Sequence, residues 1–380
     1  MSKKKLAILI ISLRGGGAER VASILLQELH EVYDVHLVLM SRDIVYDIPD
    51  NIRIHYLTDQ PADESTLSRM MNLPRLAWAY HKLARREGFD VSLSFMYRPN
   101  FINVLARKLG MKARVLISER NNPSEQHPLF RFLVRRLYGD ADVVVPNAAG
   151  MGRELINNFG VPEAKVAVIH NPVDFSLIRG EGDIPANANA GTEGPFRFVT
   201  LGRLNRTKNQ VMLVEAMHVL EDKDCVLDII GEGDQRPVIE DAIKKYGLEK
   251  RVNLLGFRKN PHQYMADANS FVYGSNFEGF PNVLIEAMAL GLPVISTDCR
   301  FGPREILHPT DTDYSRSVSA PLRAEYGYLQ PLNDAKAMAD TMRLIMENSD
   351  LREQMSKKSL ERAGEYEKDK IITRFRQIIG

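Results

Sequence analysis

Two carboxylates, Glu278 and Glu286, stand with seven residues between them in the stretch FEGFPNVLIEAMALGLPVISTD, Phe277 to Asp298. A helix start is expected between them. Pro281 suits the first helical turn, where its missing N–H costs nothing, and Gly291 suits the exit. The backbone N–H groups of Phe280, Asn282 and Val283 would then lie at a helix N-terminus, Pro281 itself having none to give. Free donors and the helix dipole act together there to attract an anion. One glutamate precedes the helix and the other lies about one and a half turns inside it. The pair therefore brackets an anion site, as a ligand with a phosphate flanked by hydroxyls requires. A nucleotide-sugar meets that description.

Other residues share this chemistry. Gly202-Arg203-Leu204 closes a strand, and Lys208 follows five residues after Arg203. An arginine fork and a lysine point charge suit a diphosphate, and each charge-assisted bond contributes about 1.5–3 kcal/mol. Two solvated surface cations would look the same in the sequence. Gly15-Gly16-Gly17-Ala18-Glu19 ends the first strand and opens a helix. Either it admits a phosphate to the backbone or it is a tight turn, and it is not a dinucleotide fingerprint. Gly231 and Gly233 follow another strand and suggest close backbone packing. Phe257 and Arg258 follow a third and offer main-chain groups to a base. Asn171 belongs to a turn that serves as a nucleotide cap or as an Asx turn. Asp311-Thr312-Asp313 has metal-motif spacing but lies in a polar loop with no strand before it, so no metal is assigned. The nine histidines show no zinc-binding spacing.

These residues must be held by a regular scaffold. Short apolar runs alternate with amphipathic helical patterns, which indicates βαβ units on mainly parallel sheets. Strands are expected at Lys5–Leu13, His36–Met40, Val91–Phe95, Arg114–Glu119, Val143–Pro146 and Val166–His170. After a crossing rich in Gly, Ala, Asn and Pro from Pro172 to Pro195, the pattern restarts at Phe196–Leu201, Val226–Ile230, Val252–Leu255, Phe271–Tyr273 and Pro293–Thr297. At 380 residues the chain suits two domains. We read 1–172 as the first, 173–365 as the second, and 366–380 as a helix returning to the first. Two cysteines offer no disulfide framework, which points to the cytoplasm. The apolar run after Lys3-Lys4-Lys5 is too short to span a bilayer and lacks a cleavage site. Residues 69–136 carry 14 Lys and Arg against 4 Asp and Glu, an excess that suits an anionic partner.

The ordered set GGGAER, GRL with Lys208, GEGD, GF and the two-glutamate segment resembles the retaining glycosyltransferases of family 4. Longer phrases, among them RPNFINVLARKLGMKARVLISERNNPS and GFRKNPHQYMADANSFVYGSNFEGFPNVLIEAMA, look like the PglJ-type N-acetylgalactosaminyltransferases of bacterial protein N-glycosylation. The resemblance implies a GT-B fold, two Rossmann-like doubly wound domains facing across a central cleft. It implies transfer of GalNAc from UDP-GalNAc, as the second GalNAc, onto GalNAc-diNAcBac carried by undecaprenyl diphosphate, with no cofactor or metal. By position, Arg203 and Lys208 would hold the donor diphosphate and Glu278 the hydroxyls of the transferred sugar. Glu286 would take the ribose, and the backbone of Phe280 to Val283 the sugar and phosphate. The Gly16-Gly17 loop would meet the diphosphate. Where many relatives have a histidine, this chain has Arg120, beside Asn121, and an arginine there suits the acceptor's diphosphate.

A lipid-linked acceptor implies the cytoplasmic face of the membrane. The helical pattern Pro128 to Leu137 and the segment Leu73 to Arg86 each mix cations with apolar residues, as a headgroup surface or a protein core would require. The competing readings are a family 4 enzyme using UDP-GlcNAc, UDP-Gal or GDP-mannose for O-antigen or capsule, an epimerase or phosphorylase of the same shape, and a non-catalytic binding protein. No pyridoxal lysine or nucleic-acid-stacking motif is evident.

Overall fold

The computed structural model describes residues 3–58, 70–179 and 194–380. Two compact units result: residues 1–172 with 371–380, and residues 173–370. In the first, six parallel strands lie in the order β3-β2-β1-β4-β5-β6. These are β1 Lys5–Ile10, β2 Asp34–Leu39, β3 Arg53–Tyr56, β4 Val91–Phe95, β5 Arg114–Glu119 and β6 Val143–Pro146. Their near-continuous apolar runs are those of strands covered on both faces. One face packs Leu9, Val115 and Ile117 with Leu76, Tyr80 and Phe130 from helices. The other packs Leu6, Ile8 and Leu116 with Leu25, Leu26 and, from the last helix, Ile371 and Phe375.

The second unit holds seven strands in the order β12-β13-β11-β10-β7-β8-β9. They are β7 Phe196–Leu201, β8 Cys225–Ile230, β9 Val252–Gly256, β10 Ser270–Tyr273, β11 Val294–Thr297, β12 Leu322–Arg323 and β13 Tyr328–Gln330. Only the β12/β13 pair is antiparallel. Both sheets reverse their strand order beside the first strand laid down, and ligands of such sheets bind at strand C-terminal ends near that reversal.

Several expectations change. Val166–His170 is not a strand. It runs beside β6 through a bridge at Val166 and two backbone bonds, Ala167 to Val144 and Ile169 to Pro146. Pro281 is the N-cap residue of the helix Asn282–Ala289, not part of its first turn. The returning C-terminal segment joins the first unit at Ile371 and not at 366. Tyr366 belongs to the second unit because its ring packs 5.6 Å from that of Phe280. Most of the crossing, residues 180–193, lies outside the described residues.

Candidate active site

The second unit builds its site from loops at the C-terminal ends of β7, β8, β9 and β10. Three of these loops are bonded in a row. Gly202 N–H donates to Ile230 O, Leu204 N–H to Glu232 O, and Gly231 N–H to Gly256 O. The row needs glycine at Gly231, whose φ is +140°; a Cβ there would lie 2.0 Å from the Gly202 carbonyl oxygen. A Cβ at Gly233 would lie 2.1 Å from the Leu204 oxygen. These two glycines pack the loop carrying Arg203 against its neighbour. Arg203 is exposed, and among the described residues its guanidinium has no partner.

The turn after Arg203 is tied to the exit of β10. Asn205 Oδ1 accepts from Lys208 N–H at 3.0 Å, and Thr207 O accepts from Asn276 N–H at 2.8 Å and Ser275 Oγ at 3.1 Å. Lys208 thereby meets Glu278 across seventy positions of sequence. Its Nζ donates to Glu278 Oε1 at 2.5 Å and to Tyr273 Oη at 2.8 Å, while Tyr273 Oη donates to the same carboxylate oxygen at 2.6 Å. Tyr273 and Glu278 are buried and Lys208 is half-buried. Burial, then the Glu278 charge, pushes the Tyr273 phenol well above its ordinary range, so it remains a donor. Burial, again with Glu278, pushes the Cys299 thiol up as well, which keeps it neutral.

The second glutamate is also engaged. Glu286 is buried in the second turn of Asn282–Ala289, with Oε2 3.2 Å from His262 Nε2. The helix start lacks a side-chain cap bond. Phe280 anchors it against Tyr366. The loop after β11 presses on it through Gly302, where a Cβ would lie 2.3 Å from Pro281 Cδ. Phe257 is 76% exposed and Arg258 stacks over Tyr264 at 5.2 Å. Asp311 is held by buried Arg304 at 2.8 Å, so that carboxylate has a structural partner.

In the first unit the candidate residues follow β1, β5 and the segment that runs beside β6. Arg120 is buried. Its Nε donates to Ser118 Oγ at 2.9 Å, its Nη1 to Asn171 Oδ1, and its Cζ lies 5.4 Å from the Phe95 ring centre. Its Nη2 has no hydrogen-bond partner, nor has Asn147 Oδ1 just after β6. Burial pushes the guanidinium down to about 9. Beside it, Glu119 accepts from Tyr138 Oη, from Arg120 N–H at 3.0 Å and from Asn121 N–H at 3.1 Å. Burial raises this carboxyl, against the pull of those donors. Gly16 caps the helix Gly17–Leu29 in extended conformation, after Gly15. Glu19 folds back over it: a Cβ at Gly16 would lie 2.5 Å from Glu19 Oε2.

Residues 15–177 match the family described as Glycosyltransferase Family 4, and residues 186–362 match Glycosyl transferases group 1. A Campylobacter jejuni protein is 34% identical over 97% of this chain and 97% of its own length. It is N-acetylgalactosamine-N,N'-diacetylbacillosaminyl-diphospho-undecaprenol 4-alpha-N-acetylgalactosaminyltransferase. The chain belongs to glycosyltransferase family 4. This glycosyltransferase is also similar to a second C. jejuni enzyme, the α-1,4-N-acetyl-D-galactosaminyltransferase acting on GalNAc-α-(1→4)-GalNAc-α-(1→3)-diNAcBac-PP-undecaprenol. That enzyme is 24% identical over 96% of this chain and 94% of its own. In fold the glycosyltransferase resembles Anabaena HepE in complex with UDP, with TM-score 0.78, 18% identity and 99% coverage of both chains. It likewise resembles a Thermosynechococcus elongatus sucrose-phosphate synthase, with TM-score 0.79, 19% identity and coverage of 99% and 98%. Its two Rossmann-like units are those of the GT-B fold.

Four residues in this glycosyltransferase escaped the sequence reading: Tyr273, His262, Glu119 and Tyr138. Tyr273 closes an apolar strand and reads as core. His262 follows Asn260-Pro261 with no motif around it. Glu119 stands beside a singled-out arginine, and only its burial shows that it braces the turn.

Proposed function

We propose that this enzyme transfers GalNAc from UDP-GalNAc, with retention, to an undecaprenyl-diphosphate-linked oligosaccharide. The observation that carries the reading is the Lys208–Glu278–Tyr273 cluster, with exposed Arg203 five residues before Lys208. A sugar-diphosphate donor needs cations for the phosphates and an acceptor oxygen for the sugar hydroxyls; Lys208 and Glu278 offer one of each within a single hydrogen-bonded group, and Arg203 lies on the same loop as Lys208. The name of the 34% identical relative supplies the sugar and the lipid carrier.

In this reading Arg203 and Lys208 take the diphosphate and neutralise charge on the leaving group. Glu278 accepts from the sugar hydroxyls and Tyr273 keeps it oriented when Lys208 turns to phosphate. Glu286, aligned by His262, accepts from the ribose. The uncapped start of Asn282–Ala289 favours the negative charge between them. The leaving phosphate takes the acceptor proton, so no carboxylate nucleophile and no metal are needed. On the first unit, Arg120 Nη2 and Asn147 Oδ1 are buried polar atoms whose partners a polar acceptor would supply.

The acceptor's lipid places the enzyme at a membrane surface. No helix among the described residues is long and apolar enough to cross a membrane. On Pro128–Leu137, Phe132 is 56% exposed beside Arg131, Arg135 and Arg136. On Leu73–Glu87, Trp78 is 53% exposed with Lys82 Nζ 3.5 Å from its ring centre. An aromatic ring with cations around it suits an anionic headgroup layer, each cation contributing about 1 kcal/mol.

The test is radiolabel transfer from UDP-GalNAc, UDP-GlcNAc and UDP-Gal to a polyprenyl-diphosphate disaccharide, with and without EDTA. Transfer from UDP-GalNAc alone, unaffected by EDTA, is expected. A preference for another donor would refute the sugar assignment, and loss of activity with EDTA would refute the metal-free mechanism.

A further inference from the structure

We infer that His36, His55 and Glu87 form a binding site for a divalent cation of the zinc class, one that ties the edge of the first sheet to a helix. The inference does not depend on the transferase reading. His36 lies on β2, His55 on the edge strand β3, and Glu87 is the last residue of Leu73–Glu87. In the parallel register His36 faces Arg53 and Val38 faces His55, so the two imidazoles are diagonal neighbours on one face. One ligand atom from each of the three side chains lies within 4.8 Å of the others.

The donor set selects the cation. Two imidazole nitrogens and one carboxylate oxygen, with water as a fourth ligand, suit zinc, cobalt or nickel; magnesium and calcium prefer oxygen. His36 Nδ1 and His55 Nε2 are 2.9 Å apart, with ring centroids 5.2 Å apart and planes within 4°. The rings thus lie end to end, one nitrogen donating its N–H to the lone pair of the other. A tetrahedral ion with bonds of about 2.0–2.1 Å needs those nitrogens about 3.3 Å apart, tilted off the common line. His55, half-buried on the edge strand, is free to tilt toward Glu87 and keep its proton on Nδ1. His36 is not: it is fully buried, with the Phe89 ring packed nearly perpendicular to it at 4.9 Å between centroids.

The surroundings fit a ligated imidazole. His36 Nε2 has no hydrogen-bond partner and lies 3.7 Å from Asp34 Oδ1. A carboxylate behind the second nitrogen is the usual support of a metal-bound histidine. Arg53 sits 3.7 Å from Glu87 but 2.7 Å from Asp34, so it can leave Glu87 and keep its closer partner. Arg86 also touches Glu87, at 2.8 Å, from an exposed position.

The experiment uses the full chain, freed of metal with EDTA and dialysed. Zinc is titrated by calorimetry and by thermal unfolding, and cobalt is added as a spectroscopic probe. One equivalent of zinc should bind and raise Tm. Cobalt should give the intense visible bands of a tetrahedral site with nitrogen ligands. His55→Ala and Glu87→Gln should each weaken zinc binding at least tenfold without loss of transferase activity. His218→Ala, at an exposed histidine of the other unit, should leave zinc binding unchanged. Absence of zinc binding to the wild type, or wild-type zinc affinity in both ligand variants, would overturn the site. Should either variant fail to fold, the wild-type cobalt spectrum decides: weak octahedral bands count against the site, tetrahedral bands for it.

Discussion

The two sheet edges that carry the candidate residues are held by different means. In the first unit, Arg120 ends a buried polar chain. Tyr80 bonds Ser92, Ser92 and Ser94 bond Asn103, Ser94 and Tyr138 bond Asn100, and Tyr138 bonds Glu119 beside Arg120. All but Arg120 lie within the sheet and its helices, so the core sets the geometry. In the second unit, Lys208, Tyr273 and Glu278 are set by loops packed glycine against carbonyl, and Arg203 is exposed. A buried chain resists rearrangement because any broken bond leaves a polar group unsatisfied. A half-open ion pair can exchange one partner for a phosphate. The first edge is built to keep its shape and the second to trade contacts.

That contrast can be broken most forcefully at Lys208. Lys208→Ala should lower kcat by about 10²–10³, the scale for losing one donor aimed at developing charge. Circular dichroism and Tm should stay close to wild type; full activity would end the assignment. Gly231→Ala tests whether the loops alone set the second edge. A Cβ 2.0 Å from a carbonyl forces the Arg203 loop to move. The donor KM should rise severalfold, measured alongside Tm, and an unchanged KM would show that the loop row is irrelevant.

Tyr138→Phe should instead strike stability. It removes a donor from buried Glu119 and an acceptor from Asn100, and each buried group left short costs about 1–3 kcal/mol. Denaturant unfolding should register this. Tyr273→Phe is the milder counterpart, since Glu278 keeps Lys208. A fall in kcat of about fivefold to tenfold is expected, near 1 kcal/mol, with little change in Tm. Both phenols are pushed well above 10 by burial and a neighbouring carboxylate. Each is therefore protonated from pH 7 to 9, and the rate profile of Tyr273→Phe should keep the wild-type shape over that range. Loss of an alkaline limb in the variant would show that the phenol titrates.

Much of the scaffold is legible without coordinates. Val91–Phe95, Arg114–Glu119, Val143–Pro146 and Phe196–Leu201 are strands with the bounds expected, because parallel strands buried on both faces need unbroken apolar runs. The edge strand Arg53–Tyr56 is not legible. One residue in two is exposed or charged there, and edge position removes the need for an apolar run. Val166–His170 is over-read for the converse reason: it is apolar and extended, yet it makes only two backbone bonds to β6.

The sequence by itself determined the alternation of strands and helices, the glycine turns, and the helix start between Glu278 and Glu286. All of these are local, set by hydrophobic period, backbone conformation and residues a few positions apart. Only the tertiary structure decided which side chains meet. Lys208 and Tyr273 are sixty-five positions apart and bond at 2.8 Å, and Glu286 finds His262 twenty-four positions back. It also decided that Gly231 and Gly233 serve loop packing, and that Glu119 is a buried brace. Hydrogen bonds and ion pairs act over a few ångströms of space, and the order of strands within each sheet sets which residues come that close.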